Sequence, residues 1–395
     1  MSLSDIRPAS EDTEPVAPGA LEGGAGKDDY LNAEQERLYT ASQAQLIWRR
    51  FRRHKLAMIG AAVLIMLYLG AVFCEFVSPY GMLTRHEGYE YAPPSRIRVR
   101  DVDGRIRLPF VYDVVKDRDP VTLRHIYRED TSQPHPLRMF VRGEQYQFWG
   151  VFDARLHLFG TGPDSAPVFL FGTDALGRDV FSRTIYGSRI SLSIGLVGVF
   201  LTFFLGLFIG GISGFFGGII DEAIQRVIDV IVSVPQIPFW MVLSAALPRD
   251  WSVTMTYFAI TVLLSVLGWA GLARVVRGKL LSLREEDFAM AAKVSGATNM
   301  YIIRRHLLPS FMSHIIVSIT LAIPAMILGE TALSFLGLGM QPPAVSWGVL
   351  LRDAQRVVQV AHRPWLLIPC VFVIVTVLMY NFMGDGLRDA ADPYR

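Results

Sequence analysis

His314 and Ser318 stand four residues apart in an otherwise apolar run, a spacing that puts two side chains on one face of a helix. A serine beside a histidine is the core of nucleophilic hydrolysis. That chemistry also needs a group to orient the imidazole and donors for an oxyanion, and neither accompanies the pair. Serine and histidine in apolar helices commonly bond the backbone instead. Nucleotide chemistry is no better served. No Gly-x-x-x-x-Gly-Lys-Ser/Thr run occurs, so ATP cannot be held by that loop. The two cysteines, Cys74 and Cys370, fall in apolar stretches, and neither a disulfide framework nor a metal site can be built from them. The chain is therefore expected to carry no catalytic residue, metal or cofactor.

Three other residues have types and places that could serve transport. Glu330 ends an apolar run, and carboxylates within membranes are often functional. At a membrane edge it reads first as solvated or hydrogen-bonded, with a gate or pathway role as the alternative. Pro235 and Pro238 lie within another apolar run, where proline frees backbone carbonyls and kinks a helix. Such a kink is tolerated where helices pack or line a cavity, so both a bend at a translocation path and a packing kink fit.

The elements that position these residues are membrane spans. Of 395 residues 51% are hydrophobic and 19% charged, and the apolar residues fall into long uncharged runs. The net charge of +2 gives no argument about nucleic acid, and no nucleic-acid partner is expected. Six stretches reach the length of about 20 residues that a spanning helix needs. They are Leu56–Cys74, one within Ile190–Ile220, Val230–Pro248, Trp251–Ala273, Ser310–Gly329 and Pro364–Gly384. Residues 1–45 are polar, lack the apolar core of a signal peptide, and read as a disordered tail.

Basic residues near span ends set orientation. Arg49, Arg50, Arg52, Arg53 and Lys55 precede the first span and place the N-terminus in the cytoplasm. Counting spans then puts Arg274, Arg277, Lys279, Arg284, Lys293, Arg304 and Arg305 in the cytoplasm too, together with the C-terminus. Arg178, Arg183 and Arg189, on the outer side before span two, run against this. The outer segment 80–168 holds β-prone runs, Arg96–Val102, Arg105–Tyr112, Arg138–Val141 and Gln145–Phe152. Asp103-Gly104 between the first two is a two-residue hairpin signal. The expected fold is thus an all-α membrane protein of six transmembrane helices with a small strand-rich extracytoplasmic insertion. The expected divisions are a tail 1–45, a first span with its basic flank 46–79, the insertion 80–168, and a five-helix core 169–395.

The cytoplasmic segment 279–308 has a pattern of its own. Glu285, Glu286 and Asp287 open a short helix where its dipole favours acid, Gly296 permits a sharp break, and Pro309 marks the next span. Two short helices at an angle under a bundle make a surface that a cytosolic partner can grip; an ordinary amphipathic loop is the plainer reading. Ala291-Ala292, Gly296-Ala297, His306 and Leu308-Pro309 resemble the loop by which permeases of ATP-driven (ABC) importers dock onto their ATPases, with Met290 at the usual glutamate position. Gly172-Thr173-Asp174-Ala175-Leu176-Gly177-Arg178-Asp179, with Ser182-Arg183 and Tyr186-Gly187, resembles the block before span two of oligopeptide, dipeptide and nickel permeases. Ala332–Gly339, Gln341-Pro342-Pro343 and Ser346-Trp347-Gly348 resemble the block after span five of the same group. The outer block is read as mainly structural, with a gating role as the alternative.

The resemblance covers roughly residues 45–80 and 170–395, and the long segment between points to a long-loop branch. It implies a permease subunit in a bacterial inner membrane that translocates peptides or a related small solute. Its implied partners are a homologous second permease, two cytosolic ATP-binding subunits that hold ATP and Mg, an extracytoplasmic substrate-binding protein, and membrane lipid. The rival class is a secondary transporter or channel working without an ATPase. It would be expected to place ionisable residues deep in several spans, and here they are scarce.

Overall fold

The computed structural model describes residues 43–102, 104–118, 120, 125–162, 165–248 and 250–391. Residues 1–50 and 51–395 form two separate units. Of the expected tail, residues 1–42 lie outside the described residues, and helix α1 (Gln43–Arg53) begins before its expected end at residue 45.

The first span is α2 (Lys55–Val72), followed by a single turn, α3 (Cys74–Val77). Five strands come next, β1 (Arg98–Arg100), β2 (Ile106–Arg118), β3 (His125–Pro136), β4 (Arg138–Phe148) and β5 (Phe152–Gly160). They form an antiparallel sheet in the order β1-β2-β3 and a separate β4-β5 hairpin. The expected two-residue turn is a longer one. Arg100 pairs with Ile106, and the Gly104 N–H donates to the Asp101 carbonyl at 2.9 Å. Asp103 lies outside the described residues. The strands are anchored by Val111, Phe159 and Val168, a buried cluster against which Phe181 at the start of the next helix packs.

That helix is α4 (Val180–Phe216), 37 residues long. It begins ten residues before the apolar run because Asp179 caps it and because its two early arginines find carboxylates. After it come α5 (Gly218–Ser233) and α6 (Gln236–Ala245), bent 85° from each other. The expected third span, Val230–Pro248, is therefore no continuous helix. Pro235 lacks an N–H and disfavours the helical region for the residue before it, and Val234 is extended at φ −82°, ψ 129°. Pro238 falls in the first turn of α6, where proline is tolerated. The prolines do not kink a span; they end one helix and open another.

The chain continues through α7 (Val253–Leu283), α8 (Asp287–Val294), α9 (Asn299–Ile302), a π-helical turn at Ile303–Leu307, and α10 (Leu308–Phe335). It ends with α11 (Trp347–Arg352), α12 (Val357–His362), a 3₁₀ turn at Pro364–Leu367 and α13 (Ile368–Ala391). Among the described residues, five helices are long and apolar enough to cross a membrane, or six crossings if α5 and α6 together make one. The core joins Leu192, Ile194 and Val199 of α4 to Ile260 and Leu264 of α7, Ile323 and Ile327 of α10, and Val373 and Tyr380 of α13. Helices α4 and α7 approach closely because Gly198, Thr202, Gly206, Gly210 and Gly214 make one buried small-residue ridge along α4. A Cβ at Gly210 would stand 2.5 Å from the Ala273 carbonyl oxygen.

Candidate functional site

Between α7 and α10 the chain builds a small projecting element. Helix α8 starts with Asp287 in its first turn, where a carboxylate suits the helix dipole. It stops by hydrogen bonds from Gly296 N–H to the Lys293 carbonyl and from Ala297 N–H to the Ala292 carbonyl, both 3.1 Å. Gly296 holds φ +82° with nothing within 4 Å of where a Cβ would be, so it is needed for backbone conformation alone. One side of α8 is fastened to the bundle. Ala289, 3% exposed, joins Val276 and Leu280 of α7, Ile302 of α9, and Phe311 and Ile315 of α10. Ala292 and Ala297 are half-buried against the same cluster. The opposite side leaves Met290, Ala291 and Val294 bare, Val294 at 90% exposed. His306 falls in the π-helical turn, and Leu308 and Pro309 open α10. The conspicuous Ala291-Ala292 pair thus splits, one residue outward and one inward. The geometry is that of a projecting knob fastened to the bundle on one side and apolar at Met290, Ala291 and Val294 on the other.

The glycine-rich block before α4 is a clamp. Thr173 Oγ1 accepts from the Ala92 N–H at 2.7 Å and donates to the Tyr89 carbonyl, while Trp365 Nε1 donates to the Thr173 carbonyl at 3.0 Å. Gly172 and Gly177 take φ +72° and +68°, and a Cβ on Gly177 would overlap the carbonyl oxygen of His86. Asp174 is almost wholly buried. Its Oδ1 accepts from the N–H groups of Leu176 at 2.8 Å and Arg178 at 3.1 Å, and its Oδ2 from Arg178 Nε at 2.8 Å and from Arg183 Nη1. Asp179 accepts at 2.7 Å from the Ser182 N–H and at 2.6 Å from its hydroxyl. Burial pushes the Asp179 carboxyl up to about 7, although the Ser182 donors pull it back.

The three outer arginines that ran against the charge rule are all paired. Arg178 and Arg183 share Asp174, and Arg189 binds Glu75 at 2.7 Å through both terminal nitrogens.

Of the two states expected for Glu330, the hydrogen-bonded one is found and the solvated one is not. It is fully buried in α10, with Oε1 accepting from Ser334 Oγ at 2.8 Å and Oε2 from Ser191 Oγ of α4 at 3.2 Å. Ser191 Oγ also accepts from the Trp347 N–H at 3.1 Å, and Trp347 Nε1 donates to the Thr184 carbonyl at 3.0 Å. One carboxylate therefore joins α4, α10 and the start of α11. Pro235 and Pro238 are exposed, whereas Trp240 of the same segment is buried next to Gly329 and Ser244 donates to the Leu338 carbonyl. His314 and Ser318 are no catalytic pair, for the Ser318 hydroxyl donates to the His314 carbonyl at 3.0 Å. Sequence reasoning missed the Glu75–Arg189 pair, which has no local signal, and the α4 ridge, whose four-residue spacing of small residues was there to be read.

Residues 191–394 match the family described as "Binding-protein-dependent transport system inner membrane component", and residues 42–94 match the "N-terminal TM domain of oligopeptide transport permease C". The dipeptide transport system permease protein DppC of Bacillus subtilis (strain 168) is 33% identical over 352 residues, 89% of this chain and 86% of its own length. The oligopeptide transport system permease protein OppC of Haemophilus influenzae is 40% identical over 242 residues, 61% of this chain and 75% of its own. A chain of the inward-facing MetNI methionine ABC transporter is similar over 53% of this chain and 97% of its own, with 21% identity and a TM-score of 0.42.

Proposed function

Because the chain belongs to the family of binding-protein-dependent transport system inner membrane components, we propose that it is the membrane-spanning permease subunit of an ATP-driven importer that takes up peptides. The names of its relatives, dipeptide and oligopeptide permeases, support the substrate class. The observation that carries the mechanism is α8. Its inner face is locked onto α7 and α10, and its outer face presents Met290 and Val294 to whatever lies beyond. A push on such a knob is transmitted to two spans as a rigid-body movement.

In this reading two cytosolic subunits hold ATP and Mg and hydrolyse the nucleotide. A second, homologous permease completes the pathway, and an extracytoplasmic binding protein delivers the solute. Residues 279–308 and both termini face the cytoplasm, and 80–168 faces outward across a bacterial inner membrane. Arg178, Arg183 and Arg189 follow the long segment 80–168, where the rule carries little weight, so the basic clusters before α2 and after α7 decide the orientation.

The test is ATP hydrolysis by the reconstituted assembly. Val294→Asp and Met290→Arg place charges on the bare face and leave the buried one intact. Each is expected to lower hydrolysis stimulated by loaded binding protein at least tenfold, with the chain still inserted. Undiminished stimulation in both would remove α8 as the docking element. Peptide recovered from the loaded binding protein, identified by mass, is the expected substrate.

A further inference from the structure

The β4-β5 hairpin leans against the end of the first span and leaves an open groove of about 820 Å³ beside it. Met66 and Gly70 of α2, Phe148 and Phe152 of the hairpin, Ile185 of α4 and Phe372 of α13 are among its walls. A volume of that size falls within the range of pockets that hold a small-molecule ligand, about 300–1,000 Å³. We propose that the groove is a lipid site that holds an acyl chain of a membrane phospholipid. This does not depend on the transport reading; it needs only that α2 crosses a bilayer.

Three observations fix the class of ligand. The first is continuity with the bilayer-facing surface. Ile65, Met66 and Leu69 of α2 are 60%, 64% and 53% exposed, and the surface they form runs directly into the groove. The second is polarity. The hydroxyls among the lining residues are on Tyr146 and Ser188, and both donate inward, to the Leu156 carbonyl at 2.8 Å and the Ile185 carbonyl at 2.6 Å. Water at a site so poor in polar partners would lack the two to four hydrogen bonds that hold a buried water. The third is depth. Trp149 at the hairpin tip donates its Nε1–H to the carbonyl of Val72, the last residue of α2, at 3.0 Å, and the Arg189 guanidinium lies 4.2 Å over its ring. A half-exposed tryptophan at the end of a span is the arrangement of an aromatic belt at the headgroup level. Its φ of +51°, with +70° at Gly150 and the Val151 N–H donating to the Phe148 carbonyl at 3.0 Å, is the tight turn that closes the hairpin and places the indole at its tip. Gly70 and Met66 then lie below that level, at the depth of acyl chains.

Gly70 supplies the decisive variant, since a Cβ there would meet nothing within 4 Å and a larger side chain extends into the groove. The full chain carrying the photoreactive substitution Phe152→p-benzoylphenylalanine is reconstituted in vesicles of phosphatidylethanolamine and phosphatidylglycerol, irradiated, and weighed intact. The expected product is the chain plus one phospholipid. Gly70→Phe should reduce it at least fivefold, and Met66→Trp should do the same if Gly70→Phe does not fold. Ile65→Phe, exposed on the same helix outside the groove, should leave it unchanged. An adduct insensitive to both groove-filling variants would overturn the proposal, as would an adduct to protein rather than lipid or the absence of any phospholipid adduct.

Discussion

Asp174→Asn tests whether the block before α4 is held by charge or only by shape. Asparagine keeps an oxygen for the N–H groups of Leu176 and Arg178, so the turn itself survives. What disappears is the negative charge facing two guanidiniums. Arg183 is 3% exposed and Asp174 2%, and among the described residues no other carboxylate lies within 4.0 Å of Arg183. Removing one partner of a buried pair costs about 3–5 kcal/mol, and the Asp353 carboxylate, which also attracts Arg183, places the loss toward the lower end of that range. Arg178, at 13% exposure, adds to the imbalance. The double variant Asp174→Asn/Arg183→Met removes the buried cation as well, and replacing a buried pair by apolar volume is often nearly neutral. It should therefore regain most of the loss, a coupling of about 2–3 kcal/mol between the two sites. Equilibrium unfolding of the full chain in detergent, followed by denaturant titration, measures all four corners of the cycle. A loss below about 1 kcal/mol for the single variant, or a double variant as unstable as Asp174→Asn alone, would refute the argument.

Asp179 gives a pH dependence whose sign is fixed. Its folded carboxyl, at about 7, holds a proton more tightly than a free aspartate at 3.8, so stability falls as pH rises between those values and then levels off. Asp179→Asn keeps a capping oxygen without that titration, and its melting temperature relative to the natural chain should rise from pH 5 to pH 8. A constant difference would mean that Asp179 is ionised throughout. Gly177→Ala and Gly296→Ala both force alanine to positive φ, at a cost of about 1 kcal/mol or more, but only Gly177 also meets a carbonyl. Thermal unfolding should rank Gly177→Ala well below Gly296→Ala, and equal losses would mean that the contact with His86 yields easily. Orientation is checked by Ser132→Cys and Thr298→Cys in a chain lacking Cys74 and Cys370, using an impermeant thiol reagent on intact cells. Labelling at 132 and not at 298 is expected, and the reverse would invert the topology.

Much of this was legible in sequence because long uncharged runs leave a helix few alternatives, and five of the six expected spans coincide with single long helices apart from their ends. The ends were not legible. Helix α4 starts at Val180 because Asp174 and Glu75 neutralise its arginines, and those partners are set by the tertiary fold. The break at Pro235 was read as a kink because one proline leaves open how far a chain turns, and the 85° angle depends on what the two halves pack against. Gly296 was readable as a break because helix termination is local chemistry. The burial of Glu330 was not, since Ser191, which hydrogen-bonds it, stands 139 residues away. Ala292 was placed with Ala291, yet a helix turns about 100° per residue and separates the two.

The buried carboxylate at Glu330 also limits how the transporter can change state. Its hydrogen bonds run to Ser334 within its own helix and to Ser191 of α4, and Ser191 in turn receives the Trp347 N–H. Parting α4 from α10 at this level would strand those groups in a medium without water to replace them. Movement that transports solute is thus cheapest when these two helices and the start of α11 travel together as one block, and the hinges must be sought at its borders.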